Sequence, residues 1–364
     1  MNSIHADPLY YARREYARAL VRMMAEGVVS AFTLFAPRRM GKTEFLLNDV
    51  RPVAEENGFG VFYFSFMDAS KHTEMRFLQA LLEFAHNRTT SSKIKHWLAA
   101  VQSVEFLGAG ISRQRSSEEI SVSEVIDALA TGKQPVLMLL DEVQEIARLP
   151  DTGGLVRSLR TGLDVNKGKV KVIFTGSSIN GLRQMFHDHK APFFQFAHQL
   201  DFPLLTRDFT DFLADLYVAR TAQAIDKAQA WAWFQRFEHI PLHMRTIIQN
   251  MIINPALSLD DAAQAQWQYL HEHSEHSDTW RNVSALERLL LVAIAQGQGG
   301  LYAEEYRRQL ASRMGVEDVS ISQIQAALRR LQRADVLMRT PARQWAISQP
   351  DMQAWIREHH GDAA

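Results

Sequence analysis

The chain has 364 residues, with 40 lysines and arginines against 41 aspartates and glutamates, a formal net charge of −1. This length fits two or three domains, and the balanced charge excludes a global attraction to nucleic acid. The absence of cysteine excludes disulfides and thiolate metal sites. The N-terminus lacks an apolar signal core, and no apolar run approaches the ~20 residues of a membrane span. We therefore expect a cytoplasmic protein with no membrane partner.

The N-terminal part of the sequence contains a candidate phosphate-binding loop. Residues 7–26 are predicted to form one amphipathic helix, and a β-like run follows at 30–35. Between that run and a helix-like run from Glu44 lies Ala36-Pro37-Arg38-Arg39-Met40-Gly41-Lys42-Thr43. Strand, loop and helix in this order are the context in which backbone N–H groups and a helix N-terminus bind phosphate.

The last two residues of this loop have specific predicted roles. Lys42 is expected to reach the β- and γ-phosphates of ATP, and the Thr43 hydroxyl to ligate Mg²⁺. Ala36 stands where the usual pattern has its first glycine. Because a Gly-Lys-Thr triplet alone is common, the prediction depends on the rest of the chain.

A second set of candidate residues follows an unbroken apolar run, Val136 to Leu140, which predicts a strand buried on both faces. Asp141 is placed to hold the Mg²⁺ shell and Glu142 to orient or deprotonate the attacking water. The alternative is a helix cap, with Asp141 at the N-cap and Glu142 in the first turn. The spacing of roughly 100 residues after the loop favours catalysis.

Ser177 is the third candidate catalytic residue. It follows the predicted strand at 170–175, beside the acidic pair, where a polar side chain could sense the γ-phosphate or position water. The alternative for this region is that Ser178 only caps the next helix.

Further strands are predicted at 61–66 and 198–202, and a hairpin-like excursion at 106–112.

The strand and helix pattern predicts the fold class. Five β-runs separated by helical segments indicate an α/β protein with a mostly parallel five-stranded sheet, that of a P-loop NTPase. From Thr206 the pattern is helical, with one helix predicted at 222–237. A polar, histidine-rich stretch at 271–278 is interpreted as a linker rather than a metal site. Three helices and a β-hairpin then predict a winged helix-turn-helix. The predicted domains are 1–205 (ATPase core), 206–280 (helical lid) and 281–364 (winged helix).

The third helix of this C-terminal part and its predicted wing carry a modest local excess of basic residues. The candidate nucleic-acid contacts are Gln325, Arg329, Arg330, Arg333 and Arg343. Such residues permit phosphate contacts with duplex DNA. Two alternatives remain open: the arginines form a solvated face, or they dock the winged helix on its own ATPase.

The loop with its paired arginines, the Leu-Asp-Glu-Val-Gln run at 140–144 and the Thr-Gly-Ser-Ser run at 175–178 together resemble the archaeal-type P-loop ATPases, a branch of the AAA+ and STAND-like ATPases. Arg14-Glu15 resembles that family's N-terminal Arg-Glu box. The resemblance covers nearly the whole chain. It implies ATP and Mg²⁺ as cofactors, hydrolysis to ADP and phosphate, and a nucleotide state that controls the lid and winged helix.

Two departures from the family pattern qualify the expected activity. The family's Gly-Arg pair after the sensor strand is replaced by Phe193-Phe194-Gln195-Phe196, with Arg183 or Arg207 as candidate substitutes. The family's Gly-Gly-x-Pro lid turn lacks both glycines near His239-Ile240-Pro241. Slow or partner-stimulated hydrolysis is therefore expected. The alternative functions are a nucleotide-gated DNA-binding regulator and a partner-protein switch, either of which could form a homo-oligomer.

Overall fold

A computed structural model describes residues 7–67, 72–88, 92–106, 120–148, 153–177, 185–186, 191, 193–272, 275–340 and 344–360. The chain divides into two compact units. The first comprises Ala12–Ala36 and Lys42–Phe202, and the second comprises the residues up to Tyr11, Pro37–Gly41 and the residues from Pro203 on. The predicted three-domain division remains a prediction.

The first unit is built on a sheet of five parallel strands in the order β2-β3-β4-β1-β5. This confirms the predicted fold class. Every residue of β3 and β4 is buried, and β3 has the unbroken apolar run expected of a strand covered on both faces. The strands are β1 (Ala31–Phe35), β2 (Gly60–Ser65), β3 (Val136–Asp141), β4 (Val170–Gly176) and β5 (His198–Asp201).

Helices pack against this sheet, and an apolar core between them includes Phe77, Trp97, Leu159 and Phe174. The chain after the loop is continuously helical but loosens into one π-helical turn at Leu46–Val50. The helices of this unit are α1 (Arg14–Ala25), α2 (Lys42–Phe45), α3 (Arg51–Glu56), α4 (Thr73–His86), α5 (Ser92–Phe106), α6 (Val122–Ala130), α7 (Gln144–Arg148) and α8 (Gly153–Val165).

The second unit is helical apart from one antiparallel hairpin and contains two apolar clusters. One cluster lies among α9 (Arg207–Thr221), α10 (Lys227–Arg236), α11 (Pro241–Ile253) and α12 (Leu259–Glu272). The other lies among α14 (Ala285–Ala295), α15 (Glu304–Met314), α16 (Ile321–Arg333), the hairpin β6 (Leu337–Arg339) and β7 (Trp345–Ile347), and α17 (Pro350–His360). Three helices followed by a hairpin have the element order predicted for a winged helix.

Four local predictions were wrong in part. The first helix begins at Arg14 rather than residue 7, because Tyr11 packs edge-on against Phe209 and Phe212 instead of lying on a helix face. The predicted 222–237 helix begins only at Lys227, capped by Asp226. Phe106, expected to open a hairpin, ends α5, and residues 107–112 lie outside the described residues.

The fourth error concerns the predicted linker at 271–278. Its first two residues end α12, and from Glu275 the chain forms another helix, α13 (Glu275–Asn282). The physical reason is Trp280, which packs edge-on against Trp355 and stacks on His360 at 4.1 Å between ring centroids. Anchoring one large aromatic residue outweighs the polar composition of the surrounding stretch. Helix α17 was not predicted at all.

The two departures from the family pattern have structural explanations. Phe193 is fully buried and packs against Phe174 and Phe186, both at 5.2 Å between ring centroids, so this run forms core. In the turn before α11, Glu238 and His239 adopt φ angles of +52° and +57°. This left-handed backbone is the conformation that glycine adopts without strain, so two residues with side chains adopt it here at a cost in backbone energy.

Among the described residues, no helix is both long and apolar enough to cross a membrane.

The N-terminus of α14 is joined to α16 by a buried carboxylate. Glu287 forms a capping box with Ser284 and accepts a hydrogen bond of 2.9 Å from Arg330 Nε. Burial alone would raise the pKa of Glu287, but the hydrogen bonds from Ser284 and Arg330 outweigh burial and lower it below its ordinary value of 4.5. The charged form is therefore the one that the folded state favours.

We predict that Glu287→Gln lowers the free energy of unfolding by about 1 kcal/mol at pH 7, because it removes a charged hydrogen-bond acceptor. A group whose pKa is lowered on folding stabilises the protein above its unfolded pKa, and that contribution is lost as the pH falls through the folded pKa. The difference between variant and wild type should therefore shrink progressively as the pH falls below 4.5 in urea unfolding measurements. Glu304→Gln, which breaks an exposed pair with Arg308, is the control and should change little. An undiminished difference at low pH would contradict this account.

Candidate functional site

Two features determine the conformation of the loop between β1 and α2: left-handed backbone angles within it and a hydrogen bond from the Lys42 side chain. Arg39 and Gly41 have φ angles of +67° and +84°, which reverse the chain before the helix begins. The Lys42 amino group donates a hydrogen bond of 2.8 Å to the Ala36 carbonyl, which ties the two ends of the loop together. Ala36 contributes through its backbone oxygen, and this explains how alanine can replace the usual glycine there.

The end of the loop meets the end of β3. The Thr43 hydroxyl donates a hydrogen bond of 2.5 Å to Asp141 Oδ2, and Asp141 is almost fully buried. The two residues predicted to hold the metal therefore lie side by side. Their oxygens are hard donors of the type that Mg²⁺ prefers.

Three further groups hold the Asp141 carboxylate. The Tyr63 hydroxyl donates to Oδ2 at 3.3 Å, and Oδ1 accepts from the Thr175 hydroxyl and from the Glu142 backbone N–H at 3.1 Å. Burial, and next the charge of Asp141, raise the pKa of Tyr63 to about 12, so its phenol stays protonated and able to donate. Sequence reasoning missed Tyr63 and Thr175, because their roles depend on which strands flank β3.

Glu142 lies directly after Asp141 in a strained position. Its φ of +53° is rare for a residue with a side chain, and the residue is 6% exposed. Glu142 Oε2 accepts hydrogen bonds from Ser177 Oγ at 2.8 Å, from the Ser177 backbone N–H at 3.2 Å and from Gln144 Nε2. The structure thus brings two predicted catalytic residues into contact. Gln144 was quoted only as part of a sequence run and was not given a role.

The strand order explains why these residues meet. All five strands are parallel, so their carboxyl ends lie along one edge of the sheet. Strand β4 lies between β1 and β3. Ser177, after the end of β4, therefore stands between the end of β1 and the acidic pair after β3. In open α/β sheets this edge is where ligands bind.

The arginines of the loop line a cleft within the second unit. Pro37, Arg38 and Arg39 border an open space of about 700 Å³. Its other walls come from α10 to α13 and from α17, and they include Arg236, Trp267 and Trp355. Helix α17 is also bonded to the helices before it, since Glu358 accepts from Trp267 Nε1 at 3.2 Å and from Arg236 at 3.4 Å.

The candidate nucleic-acid residues on α16 lie on one side of the helix. Its apolar residues, among them Ile324 and Leu328, face the core. The polar side is exposed and carries Gln325, Arg329, Arg330 and Arg333. Arg330 is also engaged with Glu287, so its role is at least partly structural.

Several candidates of the sequence analysis cannot be placed or have other partners. Ser178, Arg183 and Arg343 lie outside the described residues. Arg207 begins α9 and lies 3.9 Å from Asp211, within the same helix. In the described part of the chain, no group of three or more His, Cys, Asp or Glu residues is arranged to hold a metal ion.

Comparison with known proteins identifies similar folds at low sequence identity. No protein-family model and no curated relative matches the chain. The Walker-type ATPase of Pyrococcus abyssi is 16% identical with a TM-score of 0.62, and the match covers 95% of this chain and 96% of that one. The ORC2 protein of Aeropyrum pernix, in its ADPNP–ADP complexes, is 14% identical with a TM-score of 0.57 over 97% and 94% of the two chains.

These similarities extend over both units of the chain, and at such identities they establish the fold. The resemblance drawn from the sequence is confirmed at this level: the chain has the fold of the Walker-type P-loop ATPases.

Proposed function

We propose that this chain binds ATP with Mg²⁺ at residues 36–43 and hydrolyses it to ADP and phosphate. The observation that carries the proposal is the 2.5 Å contact between Thr43 and Asp141, which joins the loop to the acidic pair. The bonds that Asp141 makes to Thr43, Tyr63 and Thr175 favour the metal-binding interpretation of the pair over a helix cap. Similarity to a Walker-type ATPase and to a nucleotide-bound protein supports the same conclusion.

The proposed roles follow from the chemistry of each group. Thr43 and Asp141 would hold Mg²⁺, which neutralises phosphate charge when bound. Lys42 supplies a positive charge for the phosphates, and the backbone N–H groups that open α2 favour an anion. Glu142 would accept a proton from the attacking water or orient it, with Ser177 holding its carboxylate.

Hydrolysis by this chain alone is proposed to be slow or partner-stimulated. The region where the family has its Gly-Arg pair is filled by buried aromatic residues such as Phe193. An arginine supplied by a partner or a second copy is worth roughly 10³–10⁵ in rate in related phosphoryl-transfer enzymes. A second copy or a protein partner is therefore part of the proposal.

We further propose that the nucleotide state controls the lid and the winged helix. The cleft that Arg38 and Arg39 line also includes Trp355 of α17. A change of loop conformation would therefore alter the surroundings of the C-terminal helix directly. Helix α17 is in turn bonded through Glu358 to α10 and α12.

The central prediction concerns Lys42 and Glu142. Lys42→Ala should abolish measurable ATP binding, since it removes the charge that meets the phosphates. Glu142→Gln should retain ATP binding but lower the hydrolysis rate by about 10²- to 10⁴-fold, the typical contribution of a general base. Binding is measured with a fluorescent ATP analogue and hydrolysis by phosphate release, with and without duplex DNA.

Lys227→Ala is the matched control, because Lys227 pairs with Asp215 at 2.7 Å in the helical region and should not affect either measurement. Wild-type protein that neither binds nor hydrolyses ATP would overturn the proposed function. An unchanged rate in Glu142→Gln would overturn only the role of the acidic pair.

The second candidate function is a nucleotide-gated regulator that binds duplex DNA through α16, with turnover incidental. It is favoured by the exposed polar side of that helix, where Arg329 and Arg333 are accessible. A partner-protein switch is the remaining alternative. It would be indicated by oligomers that form only with ATP and by a lack of DNA affinity.

For the DNA hypothesis we predict that Arg329→Ala with Arg333→Ala weakens duplex binding. The slope of log K against log salt should fall by about 0.9 for each phosphate that the double variant no longer neutralises, as measured by fluorescence anisotropy. Arg330→Ala is the comparison variant: it should lower stability more than it changes the salt slope, because Arg330 is engaged with Glu287. Unchanged affinity and slope in the double variant would reject α16 as the DNA-binding surface.

A further inference from the structure

Gln144 is a buried polar residue in contact with the acidic pair. It begins α7 after β3, and its side chain has no exposed surface. Its amide nitrogen donates to Glu142 Oε2 and lies 3.3 Å from both Ser177 Oγ and Glu145 Oε1. An amide nitrogen carries two protons, so it can satisfy two of these three acceptors at once. The Glu142 bond is the shortest of the three and therefore takes precedence.

The orientation of this amide indicates that its function is to donate to Glu142. Gln144 Oε1 is buried and has no hydrogen-bond partner among the described residues. Reversing the amide would place a carbonyl oxygen against the Glu142 carboxylate, leaving two acceptors in contact with no proton between them. In the observed orientation the Gln144 N–H group bonds to Glu142, and the Gln144 carbonyl oxygen is buried without a partner among the described residues. An unpaired buried acceptor costs free energy of folding, so the bond to Glu142 must outweigh that cost.

These contacts make the two carboxylate oxygens of Glu142 differ in how many hydrogen bonds they accept. Oε2 accepts three hydrogen bonds, two from Ser177 and one from Gln144. In the described part of the chain no donor reaches Oε1. Oε1 is therefore the oxygen left to accept a proton from water. The backbone of Glu142 is strained, with a left-handed φ of +53°. A strained conformation of this kind is kept only when surrounding contacts, such as those from Ser177 and Gln144, stabilise it.

We infer that Gln144 is a positioning residue for ATP hydrolysis: with Ser177 it clamps Glu142 Oε2 and so presents Oε1 to the attacking water. The inference rests on the proposed function, since it assigns Glu142 to the water. In this role Gln144 acts on the reaction through Glu142 and not through the nucleotide. Its hydrogen bonds go to Glu142, Glu145 and Ser177 and to no residue of the loop, so it should not affect ATP affinity.

The test is a double-mutant cycle on ATP hydrolysis. Gln144→Leu keeps the approximate size of the side chain and removes the donor. It should lower kcat by about 10- to 100-fold, the cost of a small misplacement of a catalytic group, while KM for ATP stays within about twofold. Combined with Glu142→Gln, it should cause no further loss, because the residue it positions is already disabled. Glu145→Ala, which removes the third acceptor and leaves Gln144, Glu142 and Ser177 in place, is the matched control and should keep wild-type kcat.

The outcomes separate this inference from the proposed function. Wild-type protein without ATPase activity would overturn both. An active wild type, an impaired Glu142→Gln and a fully active Gln144→Leu would overturn only the role of Gln144. Equal losses from Gln144→Leu in the wild-type and Glu142→Gln backgrounds would also overturn it, because they would show a general structural effect. Gln144→Met, of similar length, is measured in parallel, so that a leucine variant that fails to fold leaves the same cycle available.

Discussion

The hydrogen bond between Thr43 and Asp141 is the contact on which the rest of the site depends. It joins residues 98 positions apart in the sequence, one at the end of the loop and one at the end of β3. Without it the loop would be a turn before a helix, and the acidic pair would be two carboxylates after a strand. Tyr63 and Thr175 fix the same carboxylate from the strands on either side. The site is therefore specified by strand order as much as by the loop motif.

At the same edge of the sheet, two adjacent carboxylates have different surroundings. Asp141 is surrounded by hydroxyl groups and lies next to the Thr43 oxygen, an environment that suits a metal ion. Glu142 is held on one oxygen by Ser177 and Gln144, an environment that suits a base with a fixed orientation. Asp141 and Glu142 are chemically similar neighbours, and their surroundings differ because different residues donate hydrogen bonds to their carboxylates.

Sequence reasoning predicted what local patterns determine and missed what tertiary contacts determine. All five strands were predicted. β3 is the unbroken apolar run expected of a buried parallel strand, whereas β5 is short and largely exposed. The loop and acidic pair followed from their positions after two of those strands. The start of α1 and the helix at Glu275–Asn282 were not predicted, because the packing of Tyr11 and Trp280 decides them. Gln144 had no recognisable signal beyond its position two residues after Glu142. Its burial and its contact with Ser177 become visible only when β3 and β4 are paired.

Calorimetric titration of ATP, with and without Mg²⁺, into the wild type and Asp141→Asn is the decisive measurement on this site. Wild-type protein should bind ATP more tightly with Mg²⁺ than without it. Asp141→Asn should keep the affinity measured without Mg²⁺ but lose most of the gain from the metal. Absence of ATP binding, or the same gain from Mg²⁺ in both proteins, would contradict the assignment of the loop and Asp141 to one nucleotide site.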